Sequence, residues 1–193
     1  MDKLSRDNLW SLEQYHEERP RFREQVIAHK KARRVSLGDN TALYFEDFLT
    51  MKYQVQEMLR VERIFASAEI AQEIETYNPL IPDGNNWKAT MMIEFADVEE
   101  RRAALARMVG IEHRVWVKVG TSERLFAVAN EDLARSTDEK TSAVHFLRFE
   151  FDSDTVTAIK AGTEVRFGID HEAVPEEVVL DGVVQKSLAN DLG

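Results

Sequence analysis

Residues 143–151, Ala-Val-His-Phe-Leu-Arg-Phe-Glu-Phe, form the stretch that decides the fold. Successive side chains of a β-strand point to opposite faces of a sheet, so alternate residues share a face. One face then carries Ala143, His145, Leu147, Phe149 and Phe151, and the other carries Val144, Phe146, Arg148 and Glu150. The stretch is predicted to be a strand that places His145 on its more apolar face.

This strand lies in a sheet-rich part of the chain, residues 77–193. Runs of β-branched and aromatic residues predict further strands at 87–95, 113–119, 125–129, 165–169 and 177–180. The turn at 120–123 joins two of them as a hairpin, which indicates antiparallel pairing. With short helices after Asp97, at 131–135 and at 153–161, and a strand at 42–45, the pattern predicts a mainly antiparallel sheet of about six strands.

Residues 1–76 carry mainly helical signals. Ser5 is expected to cap a first helix, and Pro20 fits the first turn of a second helix that ends near Gly38. A long helix is expected over 48–68, continuing or restarting as far as Glu75. The fold class is therefore α+β, with an N-terminal helical layer packed on the sheet. No long linker interrupts 1–193, which predicts a single domain, and 190–193 are expected to fray.

The charge balance disfavours nucleic acid as a partner. The formal net charge is −10 and the pI is near 5.1, which repels a phosphate backbone. The one dense basic run, residues 29–34, is typical of a helix end that complements the helix dipole.

The chain has no cysteine, which excludes disulfides and a cysteine-ligated iron–sulfur cluster. A divalent metal would have to be held by histidine and carboxylate. No stretch approaches the roughly 20 apolar residues of a transmembrane helix, and the N-terminus has no apolar leader. We therefore expect a cytoplasmic protein that does not bind membranes.

Several polar side chains fall on faces that are expected to be buried. In the second helix, His29 and Arg33 continue the apolar stripe of Phe22 and Val26. In the long helix, Gln54 and Glu62 fall inside the apolar arc, whereas Gln56 groups with exposed residues.

These residues allow two interpretations. The structural one is a buried polar network in which Arg33 and Glu62 form an ion pair that fixes how the helices dock on the sheet. The functional one is a pocket in which His29, Glu62 and His145 hold a divalent metal or a small ligand, with Arg33 and Gln54 orienting them. Asp83, in the turn-rich loop 77–86, is a further candidate for hydrogen bonding to a ligand.

The motifs of several enzyme classes do not occur in the chain. The sequence contains no His-Glu-x-x-His, no phosphate-binding glycine loop and no Gly-x-Ser-x-Gly turn. This disfavours the common hydrolases and nucleotide-dependent enzymes, and leaves open whether the protein is an enzyme.

Four strings resemble a known family. They are Ile-Ala-His-Lys-Lys at 27–31, Gln-Val-Gln-Glu-Met-Leu-Arg-Val-Glu-Arg-Ile-Phe at 54–65, Tyr-Asn-Pro-Leu-Ile-Pro-Asp-Gly at 77–84 and Thr-Ser-Ala-Val-His-Phe-Leu-Arg-Phe at 141–149. Together they look like DUF3501, an uncharacterised bacterial family with no established activity or catalytic residues. The resemblance spans nearly the whole chain.

The resemblance implies a role in redox or oxidative-stress metabolism, because members of this family are often encoded near rubrerythrin-like and iron–sulfur oxidoreductase proteins. Two hypotheses follow. In the first, the chain is an accessory or interaction protein with a protein partner in redox metabolism. In the second, it binds a small molecule or a metal around His29, Glu62 and His145. The sequence allows an oligomer.

Overall fold

The computed structural model describes residues 2–193. Over these residues the chain forms six α-helices: α1 (Leu12–Lys31), α2 (Phe48–Val61), α3 (Ser67–Tyr77), α4 (Val98–Arg107), α5 (Ser153–Lys160) and α6 (Gly182–Ala189). It also forms nine strands: β1 (Arg34–Ser36), β2 (Thr41–Phe45), β3 (Asn86–Ile93), β4 (Val115–Val119), β5 (Leu125–Phe126), β6 (Val128–Ala129), β7 (Val144–Glu150), β8 (Val165–His171) and β9 (Val174–Val179).

The strands form two antiparallel sheets. One has the order β1-β2-β3-β7-β6 and the other the order β5-β4-β8-β9. The predicted α+β class and antiparallel pairing are confirmed. The predicted strand at 125–129 is divided into β5 and β6, and β1, with three residues, is too short to show a period of two; nine strands are therefore described in residues 2–193 where about six were expected.

The two sheets pack face to face around the main core. Phe45, Trp87 and Phe149 of the first sheet lie with their rings 5.3–5.9 Å from the ring of Phe167 in the second. The segment around Ala127 crosses between the sheets, because β5 pairs with β4 and β6 pairs with β7. The alternation in β7 is confirmed, since His145, Leu147 and Phe149 are buried toward this core.

Helices α1, α2 and α3 build the N-terminal layer. They have their own apolar clusters, in which Met51, Val55 and Leu59 of α2 pack with Ile70 and Ile74 of α3. This layer meets the outer face of the five-stranded sheet, where Lys88 of β3 donates from Nζ to the carbonyl oxygen of Ile81 at 3.0 Å.

Helix α1 differs from the sequence prediction. It is one continuous helix that begins after Ser11, whose hydroxyl accepts from the Gln14 amide, and it runs through Pro20. Pro20 and His16 are exposed, so water can bond the His16 carbonyl that a proline cannot satisfy. Ser5 precedes only a short 3-10 turn, and 34–36 form β1 rather than a helix end.

Three other segments also differ. The long helix, predicted over 48–68, stops at Val61, and a separate helix α3 begins at Ser67. The predicted helix at 131–135 is wrong, because that segment is irregular. The predicted fraying of 190–193 is also wrong: Asp191 and Leu192 are buried, and the Gly193 amide donates to the Gly84 carbonyl at 2.7 Å.

None of the helices in residues 2–193 combines the length and apolar character that crossing a membrane requires.

Candidate functional site

Arg33 lies at the centre of a buried polar cluster. It is 2% exposed, its Nε donates to the Phe45 carbonyl at 3.0 Å, and its guanidinium forms ion pairs with Asp191 and Asp47. Asp47 also bonds His29 Nε2 at 2.5 Å. The expectation that Arg33 and His29 do not simply face water is confirmed.

The predicted partner of Arg33 is wrong. Glu62 is the residue at which α2 ends, and its side chain is exposed, so it takes no part in a buried network. The helical projection placed Glu62 in the apolar arc by assuming that the helix continued beyond Val61. Two aspartates from distant segments, Asp47 and Asp191, neutralise Arg33 instead.

His145 is fully buried in a second, separate network. Asn130 donates to its Nδ1 at 3.0 Å, and its Nε2 lies 2.8 Å from the Thr141 hydroxyl and 3.0 Å from the Ser142 carbonyl. Burial lowers the pKa of His145. These partners fit the neutral imidazole with its proton on Nε2, which donates to Ser142 while Nδ1 accepts.

The glutamines of α2 exchange roles relative to the prediction. Gln54 is only half-buried. Gln56, expected on the exposed side, is fully buried, and its Oε1 accepts from the Trp10 amide at 2.7 Å. Helix α1 and the chain before it cover this side of α2, which a projection of α2 alone does not show.

The structure does not bring His29, Glu62 and His145 into one site. His29 contacts Asp47, His145 contacts Asn130 and Thr141, and Glu62 is exposed. Within residues 2–193, no three histidine or acidic side chains are grouped so that they could hold a metal ion.

Asp83, the remaining candidate, lines a cleft of about 800 Å³. The floor is the outer face of the five-stranded sheet, where β3 contributes Asn86 and Lys88, and β7 contributes Phe146 and Arg148. The end of α3 and the loop after it form one wall, with Tyr77, Pro79 and Leu80. The opposite wall is the segment 131–135, of which Glu131, Asp132, Leu133 and Arg135 line the cleft.

Ion pairs connect the floor of this cleft to its walls. Lys88 Nζ lies 2.6 Å from Asp83, which Lys3 also contacts at 2.7 Å. Arg148 holds Glu131 through two hydrogen bonds, of 2.8 and 2.9 Å. Such bidentate pairs are the strong form of the arginine–carboxylate contact, so they position the wall segment over the sheet.

Three carboxylates of the cleft, those of Asp83, Glu131 and Asp132, are held in the ionised form. Burial alone would raise the pKa of Asp83, but hydrogen bonds from Lys3, Lys88 and Asn86 outweigh it and hold the pKa well below its usual range. The hydrogen bond from Arg148 lowers the pKa of Glu131, and that from Arg135 lowers the pKa of Asp132. The cleft therefore keeps these negative charges at neutral pH.

The wall segment 131–135 is anchored by the His145 network. Asn130, directly before it, donates to His145 and accepts from the Phe146 amide through Oδ1 at 3.3 Å. Ser136, directly after it, donates to the buried carboxylate of Glu112. His145 thus supports the cleft from beneath the sheet without lining it.

The sequence profile of DUF3501, described as a protein of unknown function, matches residues 3–192. The chain belongs to the DUF3501 family. The resemblance seen in the sequence is therefore confirmed.

A solved structure is similar to this DUF3501 chain throughout its length. It is a crystal structure at 1.90 Å resolution of a novel protein of unknown function from Burkholderia pseudomallei, with 48% sequence identity and a TM-score of 0.94. The match covers 100% of each chain. No curated protein matches the chain.

Sequence reasoning missed most of the residues that form the cleft in this DUF3501 protein. The turn-rich sequence of the loop 77–86 points to Asp83, but no sequence pattern points to Lys88 or the wall segment. The available signal was in β7, where Phe146 and Arg148 fall on the outer face together. The pairing of β7 with β3, which places Arg148 opposite Lys88, joins residues 60 positions apart and leaves no local pattern.

Proposed function

We propose that this DUF3501 protein is an accessory binding protein that holds a small organic molecule in the cleft over β3 and β7. The observation that carries the proposal is the cleft itself, about 800 Å³ in volume, between the helical layer and the sheet. Ligand sites are commonly clefts of roughly 300–1,000 Å³, largely apolar, with a few polar groups that orient the ligand.

The lining of the cleft combines apolar surface with a few polar groups. Phe146, Leu80 and Pro79 supply apolar surface, and the ion pairs of Asp83 and Glu131 supply the polar groups. Leu133 is exposed on the wall segment, at the mouth of the cleft. A ligand with an apolar body would cover Leu133 and the ring of Phe146 and so remove them from water.

The binding role is tested with Nile red, an uncharged dye whose fluorescence rises in apolar surroundings. We expect saturable binding to the wild-type protein, and weaker binding to Leu133→Asp because the carboxylate would place a charge against the apolar body of the dye. Leu133 is already exposed, so this variant is expected to fold.

Val183→Asp is the matched control, because Val183 is equally an exposed aliphatic residue but lies on α6 and outside the cleft. It is expected to bind Nile red as the wild type does. Absence of saturable binding, or equal loss in the two variants, would contradict the proposed site.

The link to redox metabolism rests on the family resemblance, which supports it only as a setting for the binding role. It is tested by titrating the protein with a purified rubrerythrin-like or iron–sulfur oxidoreductase protein encoded beside a family member. We expect a complex with a defined stoichiometry in calorimetry. No heat of binding with any such neighbour would remove the redox partner from the proposal.

Metal binding through His29, Glu62 and His145 has lost the geometric argument on which it rested, because the three lie in different surroundings. Elemental analysis of protein purified without chelator checks it directly, and a stoichiometric metal would restore it.

A further inference from the structure

We propose that the ligand of the cleft is an organic cation, an amine or guanidine attached to an apolar body. This inference rests on the proposed function, because it names the class of molecule that the same cleft would take. The cleft defines the site, and the arrangement of charges within it defines the class.

In the ion pairs that line the cleft, the carboxylate is the exposed partner and the cation is the covered one. The side-chain exposures are 45% for Asp83 against 10% for Lys88, 52% for Glu131 against 26% for Arg148, and 49% for Asp132 against 15% for Arg135. Glu150 follows the same order, at 42% against 26% for Arg148. At Glu131, Asp132 and Glu150 a molecule entering the cleft therefore meets the carboxylate side chain before the paired cation, whereas Asp83 is also contacted by Lys3, whose side chain is 37% exposed.

These carboxylates can accept further hydrogen bonds. Each oxygen of an ionised carboxylate has about two lone-pair directions. In Glu131, each oxygen accepts a single hydrogen bond, both from Arg148. An ammonium group could thus bond Glu131 from the solvent side while Arg148 keeps its contact with the same side chain.

The floor of the cleft already binds a cation that belongs to the chain. The guanidinium of Arg135 lies over the ring of Phe146, 4.5 Å from the ring centroid, and Asp132 neutralises it. Aromatic faces attract cations through the ring quadrupole, most strongly where water is excluded. Arg135 already occupies this face of the Phe146 ring, so the more exposed carboxylate of Asp132 beside it, rather than the ring face, is the group that can meet a positive charge from solvent.

An anionic ligand fits the same cleft less well. Lys88 and Arg148 lie directly opposite each other on neighbouring strands, an arrangement that could attract an anion. Both are covered by carboxylates of the chain: Asp83 and the Ile81 carbonyl hold Lys88, and Glu131 and Glu150 hold Arg148. An anion would have to displace these groups before reaching either cation.

The test uses three probes that share one apolar body, 4-phenylbutylamine, 4-phenylbutan-1-ol and 4-phenylbutyrate, each titrated calorimetrically and by displacement of Nile red. We expect the amine to bind about fivefold more tightly than the alcohol, the scale of one or two exposed ion pairs, and the carboxylate probe to bind most weakly. Raising the salt concentration from about 0.02 to about 0.5 M should reduce the preference for the amine, because exposed charges are screened.

Glu131→Gln is expected to lower the preference for the amine over the alcohol, measured as the ratio of the two Kd values in the same variant, to about twofold or less, because any shift of the wall affects both probes alike. Glu123→Gln, an equally exposed glutamate on the turn between β4 and β5, is the matched control and should keep the full preference.

The results separate the two proposals. If Nile red and the alcohol bind in the cleft but the amine gains nothing over the alcohol, or the carboxylate probe binds best, the cation inference is overturned and the binding role stands. If neither Nile red nor any probe binds, the binding role itself is overturned. A preference for the amine that Glu131→Gln leaves unchanged would also contradict the inference, because the charge would then be recognised elsewhere.

Discussion

The buried charge of Arg33 affects the pKa values of two neighbouring aspartates, Asp47 and Asp191. Burial would raise the pKa of Asp47, but hydrogen bonding from His29 and the charge of Arg33 bring it below its usual range. At Asp191, burial outweighs the charge and hydrogen bond of Arg33, and its pKa is raised to about 6. The two carboxylates compete for one guanidinium, and the one with more donors keeps its charge more easily.

The raised pKa of Asp191 predicts how the stability of the protein depends on pH. Between about pH 4, the ordinary pKa of an aspartate, and pH 6, the folded protein binds the proton more tightly than the unfolded chain does. The contribution of Asp191 to stability is therefore complete below about pH 4 and is lost as the pH rises through 6. The variant Asp191→Asn has no ionisable group at this position and so lacks this pH-dependent contribution to stability.

We expect the free energy of unfolding of the wild type, minus that of Asp191→Asn, to fall by on the order of 2 kcal/mol from pH 4 to pH 7. Urea denaturation at several pH values measures it. Asp138→Asn, an exposed aspartate, is the control and should show a constant difference. A difference between wild type and Asp191→Asn that is constant, or that grows with pH, would show that burial does not dominate at Asp191.

At this scale the sequence predicts which face a side chain occupies, and not its partner. Periodicity placed Arg33 and His145 on buried faces, and both are buried. Arg33 pairs with Asp191, 158 positions away, and no local pattern marks that contact. A charge that must be neutralised predicts that a partner exists, while the tertiary fold alone decides which carboxylate it is.

At the scale of elements, the end of α2 follows a recognised helix-capping arrangement without its usual residue. The Ile64 amide donates to the Leu59 carbonyl at 2.9 Å, and Arg63 between them has φ 56°. This is the Schellman arrangement, in which the left-handed position is most often glycine. Leu59 and Ile64 also pack in the same apolar cluster, which favours the reversal of the chain despite the cost of a left-handed arginine.

Arg63→Gly is therefore expected to stabilise the protein, by about 0.5–1 kcal/mol, because glycine adopts positive φ without steric strain. Chemical denaturation measures the change. Arg60→Gly is the control: Arg60 lies inside α2, where glycine should cost about 1 kcal/mol relative to a good helix former. Destabilisation by both substitutions would mean that the side chain of Arg63 contributes more than its backbone strain costs.

The same helix end explains where prediction of the elements failed. The apolar arc of α2 includes Val61 and Phe65 when it is projected as one continuous helix, but both are exposed because the helix stops. Without a glycine or proline near residue 62, the sequence carries no stop signal. The β7 strand was easier to predict, because its nine-residue alternation depends on no single capping residue.

At the scale of the whole molecule, the last residues of the chain connect the core to the cleft. Leu192 is 4% exposed in the core between the sheets, and its backbone pairs with Gly84 in the loop that carries Asp83. The Gly193 amide also donates to the Gly84 carbonyl. The position of Asp83 thus depends on how firmly this C-terminal segment is packed.

Leu192→Ala is expected to destabilise the protein by about 2–4 kcal/mol, the usual result of removing a buried leucine side chain. Because the lost packing also frees the backbone beside Gly84, amide hydrogen exchange in residues 83–86 should accelerate more than exchange in β4 or β8, and Nile red should bind more weakly. Val183→Ala, at an exposed position of α6, is expected to change each of these by little. The contrary outcome is that Leu192→Ala lowers stability while exchange at 83–86 rises only as much as in the rest of the fold. The C-terminal segment would then stabilise the core alone, and the contacts of Lys3 and Lys88 with Asp83 would hold the cleft in place.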